Sequence, residues 1–290
     1  MKDMKKRLLW ALLPLLLAAC HKEPGEVEKP LYPTVGAINA RYSVGDAVTV
    51  VFAKGNLQYQ ASTRTWRFAD NQYDVLGISN ASADSLYAGW IDLFGWGTSG
   101  FNGLMPYTVD DTNSHYAIGE FDIARTDYDW GRFNAISNAG NRPGQWRTLS
   151  YEEWEYLFFY RKLATGKRAL ASIEEVGVNG SAMGGIILLP DKWELPEGCT
   201  FVPGNEYGFA TNCYNITQWY KMENAGAVFL PAGGYRDSLD VSLVGEYGCY
   251  WTASYYTDET AYELYLLNSQ YAFGTAARAN GHSVRLVQEK

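Results

Sequence analysis

The chain has 290 residues, of which 47% are apolar, and a formal net charge of −8 at pH 7. This apolar content is sufficient for a substantial buried core. The first 19 residues contain four basic side chains and one acidic side chain, so the rest of the chain carries a net charge of −11. Because a surface this acidic repels phosphate groups, we expect no nucleic-acid partner.

The first 19 residues have the pattern of a signal peptide, because basic side chains precede ten apolar residues, Leu8 to Leu17. A run of ten is too short to cross a hydrocarbon core, which needs about 20 residues. The sequence Leu-Ala-Ala-Cys, ending at Cys20, resembles the lipobox of bacterial lipoproteins. The resemblance implies cleavage before Cys20, attachment of a diacylglycerol to its thiol, and acylation of the new amino group by a fatty acid such as palmitate.

Residues 20–34 predict an acidic tether, since charged side chains and three prolines leave little to bury. The tripeptide His21-Lys22-Glu23 is similar to the signal that sends lipoproteins of Bacteroides-like bacteria to the outer face of the outer membrane. We therefore expect an outer-membrane, surface-exposed protein that contacts the membrane through its lipid anchor only.

Residues 35–290 contain neither a second linker nor a repeat of fixed period, which favours one domain. The 22 Tyr, 10 Trp, 12 Phe and 29 Gly residues predict an α+β fold with short strands and long loops, in which large rings fill the core. The strand candidates are Ala47 to Ala53, Gly185 to Leu189, Ala227 to Leu230, Tyr262 to Leu267 and Ser283 to Val287.

Two main helices are predicted. The first begins after Ser150, which can cap it together with Glu153 three residues later, and it places Trp154, Leu157 and Phe158 on one face. The second covers Ile216 to Asn224, with Thr217 as the expected cap.

Near the C-terminus, Trp251 is expected to seal the core from a strand. Val284 and Leu286 flank Arg285, so its side chain should point the opposite way, toward a carbonyl or a carboxylate.

The segment Trp146 to Phe158 (WRTLSYEEWEYLF) resembles the fold of formylglycine-generating enzymes, a variant of the C-type lectin fold. Three later segments, Ala227 to Arg236, Gly248 to Ser254 and Arg278 to Val287, resemble the Fibrobacter succinogenes major paralogous domain and its Bacteroides relatives. Val51 to Gln60 and Asp92 to Gly100 are similar to the front half of the same set. The resemblance implies a single C-type-lectin-like domain over residues 35–290.

Formylglycine-generating enzymes use a pair of cysteines that holds copper(I), and this chain does not show that pair. Outside the cytoplasm, Cys199 and Cys213 are candidates for a disulfide, which leaves Cys249 as a small buried hydrophobe. No histidine motif of a metalloprotease or nucleophile elbow occurs. We therefore expect a protein that is not an enzyme and has no cofactor. The alternative is a thiol or metal oxidoreductase of the same fold.

Calcium is the one ion that the pattern suggests, because Asp127 and Asp129 lie close to Asn134 and calcium prefers oxygen ligands.

The segment 252–281 is rich in Tyr and small polar residues, as antibody loops are, and predicts a surface that binds a protein or a glycan. Strand alternation is expected to place Leu264 and Leu266 in the core, with Tyr262 and Tyr265 facing out. The predicted ligand-binding residues are Tyr255, Tyr256, Asp258, Tyr262, Tyr265, Tyr271, Phe273 and Asn280.

The same segment resembles the variable region of C-type-lectin-fold proteins that retroelements diversify at adenines, which yields mostly Tyr, Ser, Asp, Thr, Ala, Gly and Asn. Glu259, Glu263 and Gln270 lie outside that set, so they are expected either to be invariant scaffold or to arise in another way. The sequence thus favours a surface-displayed ligand-binding lipoprotein. A structural subunit of the envelope or of a fimbria is a further alternative.

Overall fold

The structure is a computed structural model that describes residues 29–30, 32, 35–82, 84–109, 116, 118–205 and 207–290. The predicted signal peptide, Cys20 and most of the tether lie outside the described residues. Within the described part of the chain, no helix is both long enough and apolar enough to cross a membrane.

The fold is mixed α+β, with short strands and few helices, as the sequence predicts. The α-helices of the described residues are α1 (Trp130–Phe133), α2 (Tyr151–Glu155) and α3 (Ile216–Asn224). The strands of the first half are β1 (Tyr42–Ser43), β2 (Thr49–Phe52), β3 (Leu57–Gln60) and β4 (Thr65–Phe68). Those of the second half are β5 (Arg168–Ile173), β6 (Met183–Leu188), β7 (Cys213–Tyr214), β8 (Val228–Pro231), β9 (Tyr235–Asp237), β10 (Asp240–Ser242), β11 (Tyr247–Tyr255), β12 (Thr260–Leu267), β13 (Gln270–Ala277) and β14 (Val287–Glu289).

Among the described residues there are two hairpins, β3-β4 and β9-β10, and three sheets of three or four strands. One has the order β1-β2-β14 and joins the two ends of the domain, with Val287 paired with Phe52. The second has the order β7-β5-β6-β8, in which β7 alone runs parallel to its neighbour. The third is the antiparallel meander β11-β12-β13, which contains most of segment 252–281.

The core consists of three clusters of apolar side chains. Large rings dominate it, as the composition predicts, because short strands leave wide gaps between the sheets. The fully buried tryptophans are Trp96, Trp130, Trp146, Trp154, Trp219 and Trp251.

The prediction of the first helix is confirmed. The Ser150 hydroxyl accepts a hydrogen bond from the Glu153 amide at 3.2 Å, and the Glu153 carboxylate accepts one from the Ser150 amide at 2.9 Å. The helix continues as a π-helical turn, Tyr156–Tyr160, and Trp154, Leu157 and Phe158 are buried on its inner side.

The bounds of the second helix are also confirmed, but its predicted cap is wrong. The residue that caps α3 is Asn215, whose side chain accepts a hydrogen bond from the Gln218 amide at 2.9 Å. Thr217 lies inside the first turn. Asn215 can serve as the cap because its backbone is extended, as a capping residue requires.

Four of the five predicted strands correspond to β2, β6, β8 and β12. The fifth is confirmed only at its end, because β14 begins at Val287 and the residues before it form single bridges, such as Ser283 with Tyr250.

The predicted direction of the Arg285 side chain is confirmed. Its side chain is buried and donates to the Phe229 carbonyl and to the Asn56 side chain, both at 2.9 Å. The guanidinium therefore fixes β8, the loop before β3 and the C-terminal segment to one another.

Candidate functional site

The meander β11-β12-β13 presents two faces, because successive side chains of a strand point to opposite sides. One face carries Tyr262, Leu264 and Leu266 and lies against α2 and its π-helical turn. The opposite face carries Cys249, Glu263 and Tyr265, since Cys249 pairs with Tyr265 across β11 and β12. The two faces provide two different candidate surfaces.

Leu264 and Leu266 are fully buried, as predicted, but the expected direction of Tyr262 is wrong. Tyr262 is an even number of positions from both leucines, so it shares their face. Its ring stacks on that of Tyr151 in α2, with centroids 4.4 Å apart and planes at 27°. Tyr265, an odd number of positions away, lies on the other face.

Six aromatic rings form an unbroken chain on the helix side of the meander, which we call the aromatic ridge. In order, the ridge comprises Tyr256, Tyr262, Tyr151, Phe273, Phe159 and Tyr160, with successive ring centroids 5.2, 4.4, 5.5, 5.9 and 6.5 Å apart. Three of these side chains are well exposed: Tyr160 at 67%, Tyr256 at 53% and Phe159 at 43%. Tyr256 lies at one end of the ridge and Phe159 and Tyr160 at the other, and three half-buried rings join these exposed ends.

The predicted ligand-binding residues are not brought together in one place. Tyr256, Tyr262 and Phe273 belong to the aromatic ridge, and Asp258 is exposed in the turn that follows Tyr256. Tyr271 lies beside the ridge, where its hydroxyl accepts a hydrogen bond from Arg168 at 2.7 Å and its ring packs on Phe158.

The other three predicted residues lie elsewhere. Tyr255 packs against the core cluster that contains Trp251. Tyr265 lies on the opposite face of the meander, and Asn280 lines a cavity on that side.

This second surface is a cavity of about 530 Å³, which we call the meander cavity. It is lined by Tyr235, Leu243, Tyr247, Thr275 and Asn280, and its inner wall contains Cys249, Glu263 and His282. Tyrosine and asparagine side chains provide polar groups on a wall that also contains Leu243, so the cavity offers both polar and apolar contacts.

The three inner-wall residues form a compact polar cluster. Cys249, Glu263 and His282 are 1%, 6% and 2% exposed, and one ligand atom from each lies within 4.8 Å of the others. His282 Nδ1 is 3.2 Å from Glu263 Oε2, yet neither atom has a hydrogen-bond partner of suitable geometry. Among the described residues, this is the one group of three or more His, Cys, Asp or Glu side chains close enough to share a metal ion.

The surroundings favour the uncharged form of each group. Burial raises the pKa of the Cys249 thiol, and the nearby Glu263 charge raises it further. Burial also raises the pKa of Glu263. Burial lowers the pKa of His282 to about 3, and the positive charge of Arg236 acts in the same direction. A protonated thiol is a weak nucleophile, so Cys249 is not activated for attack.

Sequence reasoning did not bring these three residues together. From the sequence, Cys249 is predicted to be a buried hydrophobe and Glu263 is a candidate for invariant scaffold, and no role is predicted for His282. The register of β11 against β12 sets Glu263 opposite Trp251, and the bridge between Tyr250 and Ser283 carries His282 back to the same place. Cys249 and Glu263 lie on different strands, so only the register shows that they share a face, and the return of His282 is a long-range contact as well.

The predicted disulfide is wrong, since Cys199 and Cys213 are both free. Cys199 is buried, and its thiol lies 3.6 Å from the Gln218 carbonyl. Cys213 is exposed, and its thiol lies 3.5 Å from Glu174. The two sulfur atoms therefore have different neighbours and are not bonded to each other.

The predicted calcium ligands do not form a site. The buried Asp129 carboxylate accepts hydrogen bonds from the Thr148 amide and hydroxyl, at 3.0 and 2.9 Å, and burial raises the pKa of Asp129 to about 6. The Asp127 side chain is exposed. Asp129 thus acts as a structural acceptor next to α1 and is not available to a cation together with Asp127.

The chain matches no protein-family model, no curated protein and no solved structure.

Proposed function

We propose that this chain is a lipid-anchored, surface-displayed binding protein with a C-type-lectin-like fold, which holds a protein partner through the aromatic ridge. The observation that carries the proposal is the unbroken contact of six rings, three of them well exposed. Exposed apolar patches of this kind mark protein interfaces, in which Tyr and Phe are enriched. Tyrosine also offers a large amphipathic contact at a small cost in side-chain entropy.

The elements that present the ridge are fixed before any partner binds. Arg147 forms a two-point ion pair with Glu153, at 2.6 and 2.7 Å, and also contacts Glu289 at 2.9 Å. The Tyr151 amide donates to the Ser254 hydroxyl at 3.2 Å, which joins α2 to β11. A surface that is already ordered loses less conformational entropy on binding, so its contacts contribute more to affinity.

Acidic groups flank the ridge and favour a partner with a basic rim. The Tyr151 hydroxyl donates to Glu155 at 3.0 Å, and Asp258 and Glu259 occupy the exposed turn beside Tyr256. Opposite charges at the edge of an interface mainly raise the association rate, and salt weakens that effect. The proposed complex therefore forms faster at low salt.

Retroelement diversification would act on this surface, because Tyr256 and Tyr262 lie in segment 252–281 and belong to the residue set that adenine mutation yields. The proposal requires a near-identical template copy and a reverse-transcriptase gene beside this gene. A genome neighbourhood that lacks both contradicts the diversification.

Removal of two exposed rings tests the binding proposal. We would compare the double variant Tyr160→Ser/Tyr256→Ser with Tyr207→Ser, whose side chain is also 67% exposed but lies outside the ridge. The readout is binding to envelope proteins of neighbouring bacteria and to a glycan array. Interface rings contribute about 1 to 2 kcal/mol each, so we expect the loss of two rings to weaken protein binding by about 30- to 900-fold in the double variant only.

Equal binding by all three proteins contradicts a role for the ridge. Binding that occurs on glycans alone, and that the double variant loses, assigns the ridge to carbohydrate and contradicts the protein partner.

The oxidoreductase alternative has one specific observation in its favour, the Cys249 thiol beside Glu263 and His282. The raised pKa of that thiol argues against a free nucleophile. Oxygen consumption in the presence of a peptide thiol, if it is lost in Cys249→Ser and retained in Cys213→Ser, would favour the enzyme over the receptor.

A further inference from the structure

We propose that Cys249, Glu263 and His282 bind one zinc ion, whose fourth coordination position opens into the meander cavity. The site lies on the opposite face of the meander from the aromatic ridge, so it is independent of the proposed protein-binding surface.

The donor set fits zinc. Zinc binds thiolate sulfur, imidazole nitrogen and carboxylate oxygen in a tetrahedron, and the bond lengths place neighbouring donors about 3.2 to 3.6 Å apart. The Nδ1 to Oε2 distance of 3.2 Å already has this value, and the three donor atoms all lie within 4.8 Å of one another. Calcium prefers a shell of oxygen atoms, so the sulfur and nitrogen donors exclude it.

The two unpartnered atoms are the strongest indication of a ligand. Glu263 and His282 are both more than nine-tenths buried. Their atoms Oε2 and Nδ1 are inaccessible to bulk solvent and lack hydrogen bonds. A buried polar atom without a partner costs about 1 to 3 kcal/mol, and here two such atoms converge on one point. A metal ion at that point would satisfy both atoms and the thiol together.

The charges balance in the bound state. Cys249 coordinates as a thiolate and Glu263 as a carboxylate, so the thiol loses its proton when zinc binds. The resulting centre, with two anionic ligands and a neutral imidazole, has no net charge and suits a buried wall.

Neighbouring residues hold the ligands in position. The His282 ring stacks on Trp251, with centroids 4.1 Å apart and planes at 26°. Trp251 is itself fixed, since its indole nitrogen donates to the Phe94 carbonyl at 2.6 Å. Ordered surroundings of this kind orient metal ligands and strengthen binding.

Three protein ligands leave one tetrahedral position free, as in catalytic zinc sites, whereas structural zinc sites use four. The cavity beside the three ligands would receive the free position, and its wall also contains Tyr247 and Asn280. Water or an oxygen donor of a small molecule would complete the shell. The cavity volume of about 530 Å³ is sufficient for such a molecule.

Cobalt substitution tests the site directly. The full chain, extracted in detergent, is titrated with Co²⁺ and then with Zn²⁺. We expect one equivalent of cobalt to release protons from the ligands and to give the absorption of a sulfur-to-cobalt bond and of a tetrahedral ion, and zinc to displace the cobalt without further proton release. Competition should show that zinc binds at least about 100-fold more weakly to Cys249→Ser and to His282→Asn.

The other cysteines provide the control. The chain has four cysteines, so the triple variant Cys20→Ser/Cys199→Ser/Cys213→Ser retains Cys249 alone. This variant should keep the full cobalt spectrum. Cobalt bound through Cys213, which lies 3.5 Å from Glu174, would instead vanish in the triple variant and overturn the proposal.

A folded wild-type chain that gives no sulfur-to-cobalt band also overturns it. If Cys249→Ser fails to fold, the triple variant and the wild-type stoichiometry still decide the question. None of these outcomes depends on binding through the aromatic ridge.

Discussion

Replacement of Arg285 by Met should lower the free energy of unfolding more than substitution of an exposed residue does, because the Arg285 guanidinium donates hydrogen bonds to five acceptors. Two hydrogen bonds, to Asn56 and to the Phe229 carbonyl, are 2.9 Å long. Three more, to the Ala53 carbonyl and to the side chain and carbonyl of Gln72, are 3.3 to 3.4 Å long. Met has a similar length but no donor, so all five hydrogen bonds are lost, and only the Gln72 side-chain oxygen keeps a further one, from the Phe229 amide at 2.8 Å.

The two short bonds determine the magnitude. A buried acceptor without a partner costs about 1 to 3 kcal/mol, and removal of one side of a buried charged network costs about 3 to 5 kcal/mol in all. The buried charge itself is costly, since desolvation lowers the pKa of Arg285 to about 10, and Met recovers part of that cost. We therefore expect the free energy of unfolding to fall by about 3 to 5 kcal/mol.

Urea denaturation followed by tryptophan fluorescence measures this change. Arg142→Met is the matched control, because Arg142 is exposed, and it should change the free energy of unfolding by less than about 0.5 kcal/mol. A loss below about 1 kcal/mol in Arg285→Met would mean that the cost of burying the charge equals the gain from its hydrogen bonds, and would refute the reasoning.

Three further predictions concern the helix cap, pH and the anchor. Ser150→Ala removes the acceptor of the Glu153 amide and should lower the free energy of unfolding by about 1 kcal/mol, which a shift of the urea midpoint would show. Burial raises the pKa of Asp92 from 3.8 to about 7, so between about pH 4 and pH 7 the folded state retains a proton that the unfolded state has released. Stability should therefore fall as pH rises through this window, by up to about 1.4 kcal/mol per pH unit, and the slope should be smaller in Asp92→Asn. An equal slope in the two proteins would exclude Asp92 as the cause. Cys20→Ala should abolish labelling by palmitate and retain the uncleaved precursor, whereas labelling of the variant would place the acyl group elsewhere.

The elements that could be predicted from the sequence are those determined by neighbouring residues. Ser150 and Glu153 form the first helix cap through contacts three residues apart, and Arg285 follows its flanking apolar residues by simple alternation. The same rule was misapplied to Tyr262, which shares the parity of Leu264 and therefore its face.

Contacts between distant residues could not be predicted. The spacing of Cys199 and Cys213 contains no information on the distance between their sulfur atoms, and both are free. The cluster of Cys249, Glu263 and His282 depends on a strand register and on a returning loop. The aromatic ridge joins rings of α2 and its π-helical turn to rings of the meander, about 100 residues later in the sequence.

The most direct test of the proposed function is photo-cross-linking on living cells of the producing bacterium. A benzophenone amino acid replaces Tyr256 on the ridge, or Tyr207 as an equally accessible control outside it. Protein binding through the ridge predicts one discrete protein adduct from position 256, reduced when Tyr160 is also changed to Ser, and none from position 207. Identical adducts from both positions, or none from either, would contradict it.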